Sequence, residues 1–216
     1  MSCEKITQAN KKKITSDWNN LFPSLAIYKP MHLMNRLGPL LVGIILEVKS
    51  GKTDYIPTYH VHSLMRPFPA ISLTLETTLN YVKLEWHDSK FHKLAQLMKE
   101  NALIPFEGDI HLKTVLLGYK KHLLKSSIPC QPHEYEDMAL ISAWCNNKSE
   151  VKNSLEFAEM NMKKWPTNVL KRIGGIESWI NSVKEKTIDI DTLKSIVDKQ
   201  IVELKVEGLP VRNLLS

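Results

Sequence analysis

Two histidines spaced two apart in an extended run, Tyr59-His60-Val61-His62, have the type and spacing that can hold a metal ion. Side chains on a strand alternate between faces, so His60 and His62 point the same way and their neutral imidazoles can share one ion. A zinc or iron site needs a third and usually a fourth ligand. His87, Asp88 and His92 lie at the start of a predicted helix and are the residues that could supply them. No cofactor is expected from the sequence; a divalent metal enters only with alternative readings, here that of His60, His62, His87 and His92 as ligands. The competing reading is a hydrogen-bonded or exposed histidine pair on an edge strand.

Glu47-Val48-Lys49 closes an apolar run and is followed by Ser50-Gly51, which places Glu47 and Lys49 on one face of a strand end. This short stretch resembles the second half of the PD-(D/E)xK signature of metal-dependent nucleases. The resemblance implies a divalent metal held by an acidic pair, with Lys49 orienting the water that attacks a phosphodiester. The other half of the signature is missing, because no aspartate occurs between Asp17 and Asp54. One carboxylate makes a poor magnesium site, and a charged hairpin end accounts for the same residues.

A third constellation is basic. Lys113, Lys120, Lys121 and Lys125, with His111, His122 and Tyr119, fall along one predicted helix. Lysines there can neutralise phosphates while a tyrosine stacks on an unpaired base. The same pattern also describes the solvated side of an amphipathic helix whose Tyr119 faces the core. The net charge of +6 is divided between this stripe, Lys11-Lys12-Lys13 and an acidic stretch beginning at Glu134, so it names no partner by itself. The chain has no GxSxG elbow, phosphate-binding GxxxxGK[ST] loop or GxGxxG turn. Cys3, Cys130 and Cys145 are spaced too irregularly for a disulfide framework or a paired metal site.

The elements that must carry these residues are readable from periodicity. A helix is predicted from about Ala9 to Leu21 on Ile14, Trp18 and Leu21, followed by an extended crossing bounded by Pro23 and Pro30. Leu40–Val48 reads as a buried strand turning into Asp54–Leu64, with Tyr55, Tyr59 and Val61 on one face and Ile56, Thr58, His60 and His62 on the other. Pro57 argues for an edge or a bulge. Ile71–Thr77 alternates as a third strand, and Tyr81–Trp86 can add a fourth. Beyond Asp88 the spacing turns helical, and Gly174-Gly175 interrupts one apolar stripe. The pattern predicts an α+β fold: a small, mainly antiparallel sheet of three or four strands in the N-terminal half, with a helical C-terminal half packed on one of its faces. It is read as a single domain, 1–216, composed of a helix and extended segment (1–30), a sheet region (31–86) and a helical region (87–216), with a weak internal boundary near 126–133.

The basic N-terminus lacks the apolar stretch of a signal peptide, and the longest apolar run, Pro39–Leu46, falls short of a bilayer span. These features, with the cysteine usage, predict a cytoplasmic protein. Without a coherent catalytic set, the expected role is a non-catalytic accessory, regulatory or immunity-type protein that binds a protein partner. A nuclease or phosphodiesterase built on Glu47 and Lys49 is the first alternative. A nucleic-acid-binding module built on the basic helix 110–125 is the second.

Overall fold

The computed structural model describes residues 5–51, 53–125 and 131–216. The first helix, α1 (Gln8–Leu21), starts at a capping box: Thr7 Oγ1 accepts from the Asn10 backbone N–H, and the Asn10 side chain accepts from the Thr7 N–H. Its buried residues Ile14 and Trp18 step by four and lead into Phe22. Instead of a plain extended crossing, the chain then forms a hairpin of β1 (Ala26–Lys29) and β2 (His32–Leu37). Met31, in the turn after Pro30, adopts a left-handed φ of 68°. The sequence hides β2 because nearly every residue in it is buried, so no polar alternation marks it.

Strands β3 (Leu40–Val48), β4 (Asp54–Ser63) and β5 (Thr74–Thr78) complete an antiparallel sheet in the order β1-β2-β3-β4-β5. A two-residue β6 (Val82–Lys83) pairs with the start of β4. Leu84–Trp86 forms a 3₁₀ turn, so the expected fourth strand is shorter than its alternation implied. Pro57 lies in an interior strand: its register partner on β3 is Leu46, and its carbonyl accepts from the Leu79 N–H. The register between β4 and β5 shifts opposite Tyr59–Val61, where two steps on β4 face three on β5, so the extra residue lies in β5 and not beside Pro57.

The helical half comprises α2 (His87–Asn101), a short β7 (Ile110–His111), α3 (Leu112–Lys125), α4 (Pro132–Trp144), α5 (Lys148–Met162), α6 (Thr167–Arg172), α7 (Ile176–Ile188) and α8 (Ile190–Glu203). Gly174 and Gly175, both at positive φ, separate α6 from α7, where the sequence placed a kink or break. Much of the weak boundary near 126–133 lies outside the described residues, and its end, from Pro132, opens α4. This helix is buried on all sides, from Glu134 to Ala143. One face of the sheet carries Tyr55 and Tyr59 against Trp18 and the backbone of Ile104. On its other face, His32 and Ile45 border Pro69, Ala70 and Ile71 together with Glu203, the last residue of α8, and Leu204 just beyond it. A final pair of short strands, β8 (Val211–Arg212) and β9 (Leu214–Leu215), runs parallel to β2 and β7 respectively. Arg212 locks this pairing by donating to the carbonyls of Pro105, Glu107 and Gly108 at 2.9, 3.0 and 2.9 Å.

Candidate functional site

The N-terminal half of α4 buries three carboxylates: Glu134, in its first turn, and Glu136 line a cleft of about 590 Å³, and Asp137 follows them, fully buried. The cleft's other walls are His62 and Ser63 from β4, Arg66 and Phe68 from the following segment, Ser72 and Thr74 near β5, and Lys186 from α7. Anions at a helix N-terminus are favoured by the peptide dipoles. Here a second cation completes the arrangement: Arg66 makes two parallel bonds to Asp137, both 3.2 Å. Burial pushes the Asp137 carboxyl upward, and Arg66 and Ser63 work against that push. Burial likewise works to neutralise Arg66, but Asp137 outweighs it and keeps the guanidinium charged.

The other two carboxylates diverge. Burial opposes ionisation of Glu136, yet His133 and Lys186 together hold its pKa below the ordinary value, with the Lys186 bond at 2.6 Å. Glu134 goes the other way, pushed up to about 7 by burial and by its neighbour Asp137. Its partners are the Leu75 backbone, the Gln131 amide and His122 Nε2 at 3.5 Å. Leu75 has a φ of 52°, a left-handed conformation uncommon for a residue with a side chain. The cleft is within the size range of small-molecule sites, but its charges are already paired with one another. Arg66, Glu134 and Asp137 were not read as site residues from sequence. The available signal was Glu134, Glu136 and Asp137 packed together before the apolar run Met138–Ala143.

The histidine pair on β4 is deeply buried. His60 Nε2 lies 2.8 Å from Nε2 of His32 on β2, and His62 Nδ1 accepts from the Ser72 backbone N–H at 3.0 Å. Burial, reinforced by the cations Lys29 and Arg66, holds His32 and His62 down at about 4, and His60 lies well below its ordinary value. Glycine at position 43 makes room for this contact: a Cβ there would stand 3.0 Å from His60 Nε2 and 2.4 Å from the Leu33 carbonyl oxygen. His87 is not brought to this pair. It bridges Tyr55 Oη (2.7 Å) and Asp17 (2.9 Å) on the opposite side of the sheet, and His92 packs beside Phe91 on α2. Among the described residues, the one set of three histidine, cysteine or acidic ligands within 4.8 Å is Asp17, His87 and Asp88. The cation between its carboxylates is the Lys13 ammonium, which bonds both Asp17 and Asp88.

Glu47 and Lys49 lie at the exposed end of β3 and pair with each other at 3.8 Å. Neither belongs to a set of three clustered ligands among the described residues. On α3, Lys113, Lys121 and Lys125 are exposed, and Lys120 stands over the Phe157 ring at 5.4 Å. Tyr119 is fully buried. The same outer face presents two large apolar side chains, Leu117 (50% exposed) and Leu124 (68%). At 100° per residue, the four lysines and two leucines fall within one arc of roughly 140°. No family model, curated protein or solved structure matches the chain, so the geometry of these sites is the basis for a functional reading.

Proposed function

We propose that this protein is a non-catalytic accessory or regulatory protein that binds an acidic protein partner on the outer face of α3. The observation that carries this reading is the arc of Lys113, Lys120, Lys121 and Lys125 around the solvent-facing Leu117 and Leu124. An amphipathic partner segment satisfies both parts of that surface, apolar contact at the leucines and carboxylates at the lysines. Nucleic acid would use the lysines but leave the leucines without a role. Tyr119, the one aromatic residue of the helix, is buried and unavailable for base stacking.

The test places a photo-crosslinking residue at 117 or 124, with exposed Glu85 as the control position, and irradiates the protein in host lysate. A discrete protein adduct is expected from 117 and 124, absent from 85, resistant to nuclease and lost in a Lys113→Glu/Lys121→Glu background. An adduct that disappears on nuclease treatment would transfer the helix to the nucleic-acid reading. Equal labelling from all three positions would remove α3 as the interface. Because both leucines are exposed, Leu117→Asp and Leu124→Asp should each leave stability within about 0.5 kcal/mol, as measured by urea unfolding.

A further inference from the structure

We propose that residues 67–73 form an acid-released strap, held shut near its C-terminal end by the neutral ring of His62, and that its release joins the two clefts it separates. Pro67, Phe68, Ser72 and Leu73 line the cleft at α4, while Pro69, Ala70, Ile71 and Leu73 line a second cleft, of about 660 Å³, beside His32. The strap is thus a wall common to both. Little backbone bonding holds it: among the described residues, no backbone–backbone hydrogen bond involves residues 67–72. Pro67 and Pro69 have no N–H to offer. The Phe68 and Ser72 N–H groups instead donate to side chains, Gln200 Oε1 and His62 Nδ1 respectively, both at 3.0 Å. A segment with so few backbone bonds opens locally at lower cost than the sheet beneath it.

Only one of these two acceptors titrates. The Gln200 amide oxygen remains an acceptor at any pH, whereas the His62 ring holds the Ser72 N–H only while Nδ1 keeps its lone pair. A proton on Nδ1 turns that acceptor into a second donor facing the Ser72 N–H. The Ser72 hydroxyl, 2.8 Å from the same nitrogen, can accept from the protonated ring, but the backbone bond is lost either way.

The charges facing His62 give an imidazolium little support in the shut state. His60 is its neighbour on β4, Arg66 leads into the strap, and His133, Glu134, Glu136 and Lys186 line the same cleft. Asp137 is bonded to Arg66 and Glu136 to Lys186, while Glu134, pushed up to about 7, becomes neutral as the medium turns acid. Burial, with Arg66 adding to it, holds the His62 ring at about 4 against an ordinary 6.5. Because the shut state has the depressed value, the ring keeps the strap closed above pH 6.5 and favours release as pH falls toward 4.

Native-state hydrogen exchange on the full chain, read by NMR as protection factors so that the intrinsic pH dependence cancels, tests the strap. The Ser72 amide should be less protected than Val42 and Ile44 on β3, and its protection should not respond to low urea, as befits a local opening. It should fall about sevenfold from pH 6 to pH 5, the effect of one ring whose value is about 4 with the strap shut and near 6.5 with it free. In His62→Asn, whose amide oxygen replaces Nδ1 as an acceptor that does not titrate, the fall should shrink below about twofold. Ser72 protection that matches β3 and drops with urea, a pH-independent Ser72, or a sevenfold fall that survives in His62→Asn would each overturn the strap. The two wild-type comparisons decide the matter if the variant does not fold.

Discussion

In the N-terminal half of α4, charge is buried together with its counter-charge; beneath residues 67–73, three imidazoles are buried with no anionic hydrogen-bond partner. The two regions share the cleft that His62 and Glu134 both line, yet they satisfy the cost of burying polar groups by opposite routes. Asp137 keeps a bidentate guanidinium, so removing the partner leaves an unpaired group in the interior. His60 and His62 have only neutral partners, so their burial is tolerated while the rings stay uncharged. The first region should therefore be sensitive to substitution and the second to pH.

The largest expected effect is that of Arg66→Ala, about 4 kcal/mol of lost stability by urea denaturation, because Asp137 is then left buried without its cation. An Arg66→Met/Asp137→Leu double replacement should recover much of that loss. A double variant as unstable as the single one would mean that the pair contributes through shape rather than charge.

Acid should weaken the histidine region next. His32 and His62 have folded pKa values near 4 against an ordinary 6.5, so the unfolded chain binds more protons between these limits. Their contribution is complete above pH 6.5 and is lost as pH falls toward 4. Glu134 acts with the opposite sign: its value near 7 lies above its ordinary 4.5, so it favours the fold at low pH and loses that contribution as pH rises through 7. His32 and His62 against Glu134 leave these three groups with a net loss of about 3 kcal/mol on going from pH 7 to 4, at about 1.4 kcal/mol per pKa unit, and His60, shifted in the same direction, adds to it. Thermal unfolding across this range, repeated with Glu134→Gln, should show a steeper acid loss in the variant. An unchanged slope would break the contrast between the two regions. A smaller effect, about 2 kcal/mol, is expected from Gly43→Ala, whose new methyl crowds the Leu33 carbonyl, Met34 and His60.

These two regions also differ in how far they can be read from sequence. The same-face placement of His60 and His62 follows from a period of two, and the strands bearing them are signalled by β-branched runs. Their neighbour His32 is concealed because β2 is buried on both faces and looks like no strand pattern. The α4 cluster is harder still. Pro132 and a string of acidic residues suggest a solvated connection, and a helix surrounded by protein has no amphipathic stripe to reveal it. Arg66 and Asp137 are 71 residues apart, and no local spacing links them. The helical half as a class was plain, since Val151, Leu155, Ala158 and Met162 hold a steady stripe.

The clasp formed by β8 has a consequence for the time course of folding. Residues 211–212 lie alongside the end of β2, and nearby the Tyr28 hydroxyl reaches the Leu204 carbonyl across a separation of 176 residues. Closing a loop of that length costs roughly 4–5 kcal/mol of chain entropy before any contact repays it. On a growing chain, β1 to β5 would be synthesised well before residues 211–212 and would wait for them before this edge is complete. The sheet is thus begun long before the strand that completes its edge is made.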